Sequence, residues 1–206
     1  MFLNFDDFYT RSYDLALEPN LEAFTFTGKV VISFRVDAAK LQDADEETSR
    51  SITLHAKELT FINASYTSSV DNNTTVVPVE EIRVNFKATT VQFMFPTPLP
   101  TEESSRVTLT VEFTGFLNDT MAGFYRSTYQ NIEGKDCIMA STQFESLDAR
   151  RAFPCVDEPA AKAVFTLHLV IPTDRQALSN MPACSVVRLN ATQQRISFMP
   201  TPKMST

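Results

Sequence analysis

Two polar residues near position 144 have the types and the spacing of a small binding site. Gln143 and Glu145 are two positions apart in the run Ser141-Thr142-Gln143-Phe144-Glu145. If this run is a β-strand, their side chains emerge on one face about 7 Å apart. A carboxylate there can hold an ammonium group by a charge-assisted hydrogen bond, which contributes roughly 1.5 to 3 kcal/mol. The amide can line an adjacent pocket without adding charge, so the pair indicates binding of a small cationic group.

Four charged residues follow the pair among apolar residues and prolines. They are Arg150, Arg151, Asp157 and Glu158. Because such a mixture of signs is unusual for a solvated loop, we expect these charges to form an internal ion-pair network. The network would hold the loop after the binding strand and orient the pair without contacting a ligand.

The sequence predicts neither a metal-binding site nor a nucleophilic catalytic residue. The only two histidines, His55 and His168, lie on separate predicted strands, so they do not provide the pair one helical turn apart that a zinc site on a helix requires. We therefore expect both histidines to be structural, and we predict no catalytic residue and no metal ligand here. Cys155 has no histidine nearby in sequence to activate it, so we expect a packing residue, as at Phe153.

Composition restricts the classes of partner. The chain has 206 residues, of which 43% are apolar, and a net charge of −7. A negative surface would repel phosphate backbones, so we expect no nucleic-acid partner. No window approaches the roughly 20 apolar residues of a membrane span, and the first seven residues lack a basic, apolar leader. We expect no membrane anchor and no export signal.

Cysteine usage fits the same interpretation. The three cysteines are an odd number without short metal-ligand spacing. Reduced thiols in a cytoplasmic protein are the simplest explanation.

Alternation of apolar and polar residues is the dominant pattern of the whole chain. It predicts strands with apolar rows at Tyr13, Leu15 and Leu17; at Phe24, Phe26, Val30, Ile32, Phe34 and Val36; and at Phe165, Leu167, Leu169 and Ile171. Further strands are predicted at Ile52–Ala56, Leu59–Tyr66, Glu81–Lys87, Thr90–Phe95, Arg106–Phe113, Ile138–Glu145 and Arg195–Met199. Short strands at this spacing favour an antiparallel sandwich or a curved open sheet.

Connections between the strands are predicted from composition. Gly28 lies in an apolar row and suggests a bend or bulge. A hairpin is expected around Gly123, an exposed loop at Gln42–Ser49 and a polar turn at Val70–Thr75. Ala149–Ala152 is predicted to form one short helical turn, with Ser146 or Asp148 as its cap.

Several stretches, in order, resemble one family. They are Gly123-Phe124-Tyr125-Arg126-Ser127, Thr142-Gln143-Phe144-Glu145, the block Asp148 to Cys155, Asp157-Glu158-Pro159 and Ser179-Asn180-Met181-Pro182. They resemble the N-terminal domain of the gluzincin-class zinc aminopeptidases, in particular the branch of puromycin-sensitive (cytosolic alanyl) aminopeptidases. The resemblance covers nearly the whole chain, from about Tyr13 onward.

This resemblance implies a fold and a role. The family's N-terminal domain is a saddle-shaped, all-β structure that packs on a thermolysin-like catalytic domain. Residues 1–206 would be an excised N-terminal domain, and the catalytic domain with its Zn²⁺ would follow residue 206. The chain alone would bind no metal and be inactive. The residues matching Gln143 and Glu145 bind peptide substrates in the family, with the glutamate holding the free N-terminal amine.

A second class of function stays open at this stage. Aminopeptidase-like architectures without zinc ligands serve as scaffolds, so the chain could be a non-catalytic β-sandwich interaction module. A free-standing β-sandwich with no partner domain is a third alternative. Retention of Gln143 and Glu145 favours the enzyme, because a scaffold has no need to bind an amine.

Overall fold

A computed structural model of the chain describes residues 8–36, 41, 44–70, 73–100 and 106–206. Three predictions fall wholly or partly outside these residues: the missing leader in residues 1–7, part of the loop Gln42–Ser49, and part of the turn Val70–Thr75.

Strands dominate the described part of the chain. In chain order they are β1 (Phe8–Asn20), β2 (Thr25–Val36), β3 (Ser51–His55), β4 (Leu59–Val70), β5 (Asn73–Pro78), β6 (Glu81–Asn85), β7 (Thr90–Met94), β8 (Arg106–Phe116), β9 (Gly123–Gln130), β10 (Asp136–Gln143), β11 (Val164–Pro172), β12 (Ala183–Arg188) and β13 (Gln193–Phe198). Helical structure is limited, among the named elements, to one turn at Glu46–Ser49 and a 3₁₀ turn at Ala149–Arg151. The predicted all-β class is confirmed. None of the described helices is long and apolar enough to cross a membrane.

The strands form three sheets. The largest has the order β12-β13-β11-β1-β2-β8-β4-β5, the second is β3-β7-β6, and the third is the hairpin β10-β9. The β1–β11 pair is parallel, with Tyr13 opposite Phe165, so the large sheet is mixed rather than wholly antiparallel. The two strands lie far apart in sequence, which supplies the long connection that a parallel pair needs.

One main hydrophobic core joins these sheets. The three-stranded sheet packs on the large sheet through aromatic contacts, with ring centroids 5.6 Å apart for Phe61–Phe93 and 4.8 Å apart for Tyr66–Phe95. Within the predicted row of β2, Phe26, Val30 and Ile32 are at most 1% exposed. Each large apolar side chain buried in this way contributes roughly 1.5 to 3 kcal/mol.

The strand β2 has no bulge at Gly28, which is one of the two irregularities predicted there. Gly28 pairs in regular register with Leu17 on β1 and with Phe113 on β8. A Cβ atom at Gly28 would lie 2.4 Å from Cζ of Phe113, and Gly115 is covered in the same way by Phe26. Glycine is therefore required by the aromatic ring of the neighbouring strand, not by an irregular backbone.

One connection differs from expectation. The predicted loop at Gln42–Ser49 contains a helical turn over Glu46–Ser49, whose first residue follows the capping Asp45 carboxylate, which accepts a hydrogen bond from the Thr48 backbone N–H at 2.7 Å. The hairpin expected around Gly123 is formed by β9 and β10: Gly123 begins β9, and the turn lies at residues 131–135.

The β9–β10 hairpin carries the predicted binding pair. Its inner side joins the main core through Phe124, which is 6% exposed and meets the Phe26 ring at 5.2 Å, and through Ala140. The end of β10 is thereby fixed against the large sheet.

Candidate functional site

Gln143 and Glu145 both lie at the surface where β10 ends. Gln143 is the last residue of β10 and pairs with Gly123 of β9. The prediction that the strand continues through Glu145 is wrong, since Glu145 follows the strand and its peptide bond to Ser146 is cis. Both side chains are exposed to solvent.

Neither polar side chain takes part in a hydrogen bond or an ion pair among the described residues. Phe144, between them, is half-buried and packs on the ring of Phe153, with the centroids 6.1 Å apart. The segment is thus anchored at its centre and open at both flanking positions.

A 3₁₀ turn at Ala149–Arg151 follows the pair, close to the predicted helical turn. The predicted side-chain cap is wrong: Asp148 occupies the cap position without making a capping hydrogen bond. Its carboxylate instead accepts a hydrogen bond from Nε of Arg151 at 2.8 Å, and its backbone N–H donates to the Phe144 carbonyl at 2.9 Å. The turn is therefore tied back to the residue between Gln143 and Glu145.

Arg150 and Asp157, two of the four charges predicted to form an internal network, form a buried ion pair. Nε of Arg150 donates to Oδ2 of Asp157 at 2.9 Å, and the two side chains are 9% and 6% exposed. The guanidinium also donates to Oγ1 of Thr89 at 2.7 Å, and the Arg150 backbone N–H donates to the same carboxylate oxygen. This satisfied network fixes the loop against the three-stranded sheet.

Arg151 belongs to a separate, more exposed cluster. It pairs with Asp148 and with Glu58 in the β3–β4 connection. The expected single network is therefore two networks. Glu58 lies far from the loop in sequence, so no pattern in the chain could have assigned it to this cluster.

The match to known proteins covers nearly the whole chain. Residues 9–206 match the peptidase M1 N-terminal domain. The chain belongs to this family.

Named relatives of this M1 N-terminal domain are aminopeptidases. This chain is 39% identical over 194 residues to aminopeptidase 2 of Candida albicans, and the match covers 94% of this chain and 19% of that relative. It is 38% identical over 196 residues to aminopeptidase M1 of Arabidopsis thaliana, where the match covers 95% of this chain and 21% of the relative. It is 34% identical over 195 residues to the alanine/arginine aminopeptidase of Saccharomyces cerevisiae, where the match covers 94% of this chain and 21% of the relative. The chain spans about a fifth of the length of these relatives.

His55 and Cys155 have structural surroundings in this M1 domain. Their backbones form an antiparallel bridge, with N–H···O distances of 2.8 and 3.1 Å. Nδ1 of His55 accepts the Asp157 backbone N–H at 3.2 Å, which places the ring proton on Nε2, 4.0 Å from Glu158. Burial, followed by the charge of Asp157, raises the pKa of the Cys155 thiol well above its usual value. Cys155 is thus a buried thiol, as expected of a packing residue.

His168 lies elsewhere, on β11 of the large sheet. Its Nδ1 is 2.8 Å from Oγ of Ser197, and its Nε2 is 3.4 Å from the Asp14 carboxylate. The structure does not bring His168 and His55 together, and no three metal-ligating side chains cluster anywhere in the described ranges. The described residues therefore do not provide the ligands of a zinc site.

Proposed function

We propose that this M1 N-terminal domain forms one wall of the substrate site in a zinc-dependent aminopeptidase. In the proposal, the domain packs on a catalytic domain of the same protein, which supplies the zinc and the general base. The names of the relatives, and the fifth of their length that the chain spans, support this assignment.

The exposed carboxylate of Glu145, which has no ion-pair partner among the described residues, is the observation that carries the proposal. Its oxygens can accept hydrogen bonds from the ammonium at the free N-terminus of a peptide. The amide of Gln143 would line the pocket for the first side chain, where a neutral group does not restrict the charge of that residue. Rigid support by Phe144 keeps both groups ready for a ligand.

Solvent exposure explains why the domain needs a partner surface. An ammonium bound to a fully hydrated carboxylate gains only about 0 to 1 kcal/mol. The same contact becomes stronger when a second surface excludes water, because the effective dielectric constant falls. We therefore expect strong amine recognition only in the complete protein, with the catalytic domain covering the site.

Amine recognition would also explain removal of single N-terminal residues. A peptide whose amine is acetylated leaves Glu145 desolvated without a cation, which costs roughly 1 to 3 kcal/mol or more. Internal peptide bonds are rejected for the same reason.

Substitution of Glu145 tests the role directly. In the full-length protein, Glu145→Ala should lower kcat/KM for an amino-acid amide by about 10- to 100-fold, as expected for loss of one charged contact. Glu133→Ala is the matched control, since Glu133 is an exposed glutamate at the tip of the same hairpin. Equal kinetics for Glu145→Ala and the control would refute the proposed role.

Metal and activity measurements on the full-length protein test the enzyme class. We expect bound zinc and hydrolysis of amino-acid amides; absence of both would favour the non-catalytic interaction module. We also propose a cytoplasmic location. One relative, from S. cerevisiae, has "mitochondrial" in its name, so cell fractionation is the deciding measurement.

A further inference from the structure

A closed ring of contacts holds the backbone segment that carries the candidate amine-binding pair. Gln143 pairs with Gly123 across the β9–β10 ladder. The Phe144 carbonyl accepts the backbone N–H of Asp148 at 2.9 Å. Arg151 connects these two sides, because its Nε donates to Asp148 at 2.8 Å and its Cβ lies against Gly123. The ring thus begins and ends on the segment that carries the pair.

Gly123 has no room for a side chain. A Cβ atom there would lie 2.5 Å from Cβ of Arg151 and 3.1 Å from the Asp148 carbonyl oxygen. Its φ of +71° is also in the left-handed region that L side chains rarely adopt. Any larger residue at Gly123 must therefore push the 3₁₀ turn away from the end of β10.

Arg151 fastens the ring to the rest of the fold. Its guanidinium is paired with Glu58 as well as with Asp148. The neighbouring residue Lys57 donates its backbone N–H to the Arg150 carbonyl at 2.8 Å. The β3–β4 connection and the 3₁₀ turn are thereby joined by a side-chain contact and a backbone contact.

We infer that Gly123 and Arg151 are positioning residues for amine binding by Gln143 and Glu145, an inference that rests on the proposed function. The side chains of the pair have no protein partners among the described residues, so their placement depends on the backbone of their segment. The ring fixes that backbone on both sides. A displacement of about 1 Å at a binding group is enough to weaken recognition substantially.

Kinetics of the full-length protein test the inference. Gly123→Ala and Arg151→Met should each lower kcat/KM for an amino-acid amide about 10-fold, mainly through a higher KM, because binding is what they disturb. Arg151→Met keeps the aliphatic stem against Gly123 and removes only the ion pairs. Arg151→Lys, which keeps the charge, should recover part of the loss. Circular dichroism and thermal unfolding establish that each variant is folded.

Gly134→Ala is the matched control for the backbone effect. Gly134 has a φ of +74°, close to that of Gly123, but a Cβ atom there would have no neighbouring atom within 4 Å. It belongs to the turn of the same hairpin. We expect this variant to keep the native KM and kcat.

A double-variant cycle separates positioning from general support of the fold. In a Gln143→Ala/Glu145→Ala background, Gly123→Ala should change kcat/KM by less than about 2-fold, because it acts through groups already removed. A loss that persists undiminished in that background would overturn the inference, as would native kinetics in a folded Gly123→Ala protein. If Gly123→Ala does not fold, Arg151→Met replaces it in the same double-variant cycle, and the same two outcomes for kcat/KM apply. Native kinetics for Glu145→Ala would instead reject the proposed function itself.

Discussion

Burial decides what the ion pair Arg150–Asp157 does at the scale of single residues. Removing charges from water is costly, and here the cost is offset by a 2.9 Å contact and by the hydrogen bond to Thr89. Arg83, by contrast, pairs with Glu47 and Glu81 in solvent. Ion pairs that look alike in the sequence therefore differ in what they contribute to stability.

We predict that Asp157→Asn lowers the free energy of unfolding by about 3 to 5 kcal/mol, because it leaves the Arg150 charge buried without a counter-ion. Urea unfolding followed by circular dichroism measures the change. Arg83→Met is the control and should leave the unfolding midpoint unchanged. A similar midpoint shift for both variants would contradict the importance given to burial.

Cysteine reactivity provides a second prediction at this scale. Cys184 is exposed and Cys137 half-buried, whereas Cys155 is fully buried with a raised thiol pKa. Since the thiolate is the reactive form, iodoacetamide at pH 8 should label Cys184 first and spare Cys155 until the protein unfolds. Peptide mapping by mass spectrometry identifies the sites. Labelling of Cys155 in the folded protein at the rate of Cys184 would contradict this environment.

At the scale of elements, periodicity predicted the inner strands better than the outer ones. β1, β2 and β8 have buried faces, so their residues alternate. The two outermost strands of the large sheet, β5 and β12, were not predicted. All six residues of β12 are exposed. An edge strand with neither face buried has no need to alternate, and its pairing depends on a neighbouring strand.

Gly28 gives a prediction at the element scale. Gly28→Ala should lower the free energy of unfolding by about 1 to 3 kcal/mol, because the new methyl group collides with the buried ring of Phe113. Chemical denaturation measures the loss. The double variant Gly28→Ala/Phe113→Leu should lose less than the sum of the two single variants. Strictly additive losses would indicate that the collision is not the cause.

At the scale of the whole molecule, the stability should depend on pH because two buried groups, the Tyr13 hydroxyl and the Cys155 thiol, keep their protons in the folded state. Burial, followed by the nearby Cys155, raises the pKa of Tyr13 well above its ordinary value, and the Tyr13 hydroxyl accepts the Val156 backbone N–H at 3.0 Å. Both acids keep their protons in the folded state at pH values where the unfolded chain has lost them. The contribution of these two groups to the free energy of unfolding is therefore complete at pH values below their pKa values in the unfolded chain, which are about 8.5 for cysteine and 10 for tyrosine. That contribution falls as the pH rises above those values.

We predict that the free energy of unfolding declines between about pH 8.5 and pH 11, the alkaline side of those unfolded values. Tyr13→Phe should be about 1 to 3 kcal/mol less stable at pH 7, since the Val156 N–H loses its acceptor, but should decline less steeply above pH 10. Urea titrations at several pH values test both effects. If the free energy of unfolding of Tyr13→Phe declined above pH 10 as steeply as that of the native protein, ionisation of Tyr13 would not be what limits the stability at alkaline pH.

The sequence by itself determined the all-β class, the inner strands, the short turn after Phe144, the family, and the candidate pair Gln143 and Glu145. These features depend on local periodicity or on residues that are adjacent in the chain. Only the tertiary structure decided the end of β10 at Gln143, the parallel β1–β11 pair, and the separation of the charges into a buried pair and the Glu58–Arg151–Asp148 cluster. Such contacts join residues far apart along the chain, and their partners are selected by packing of the whole molecule.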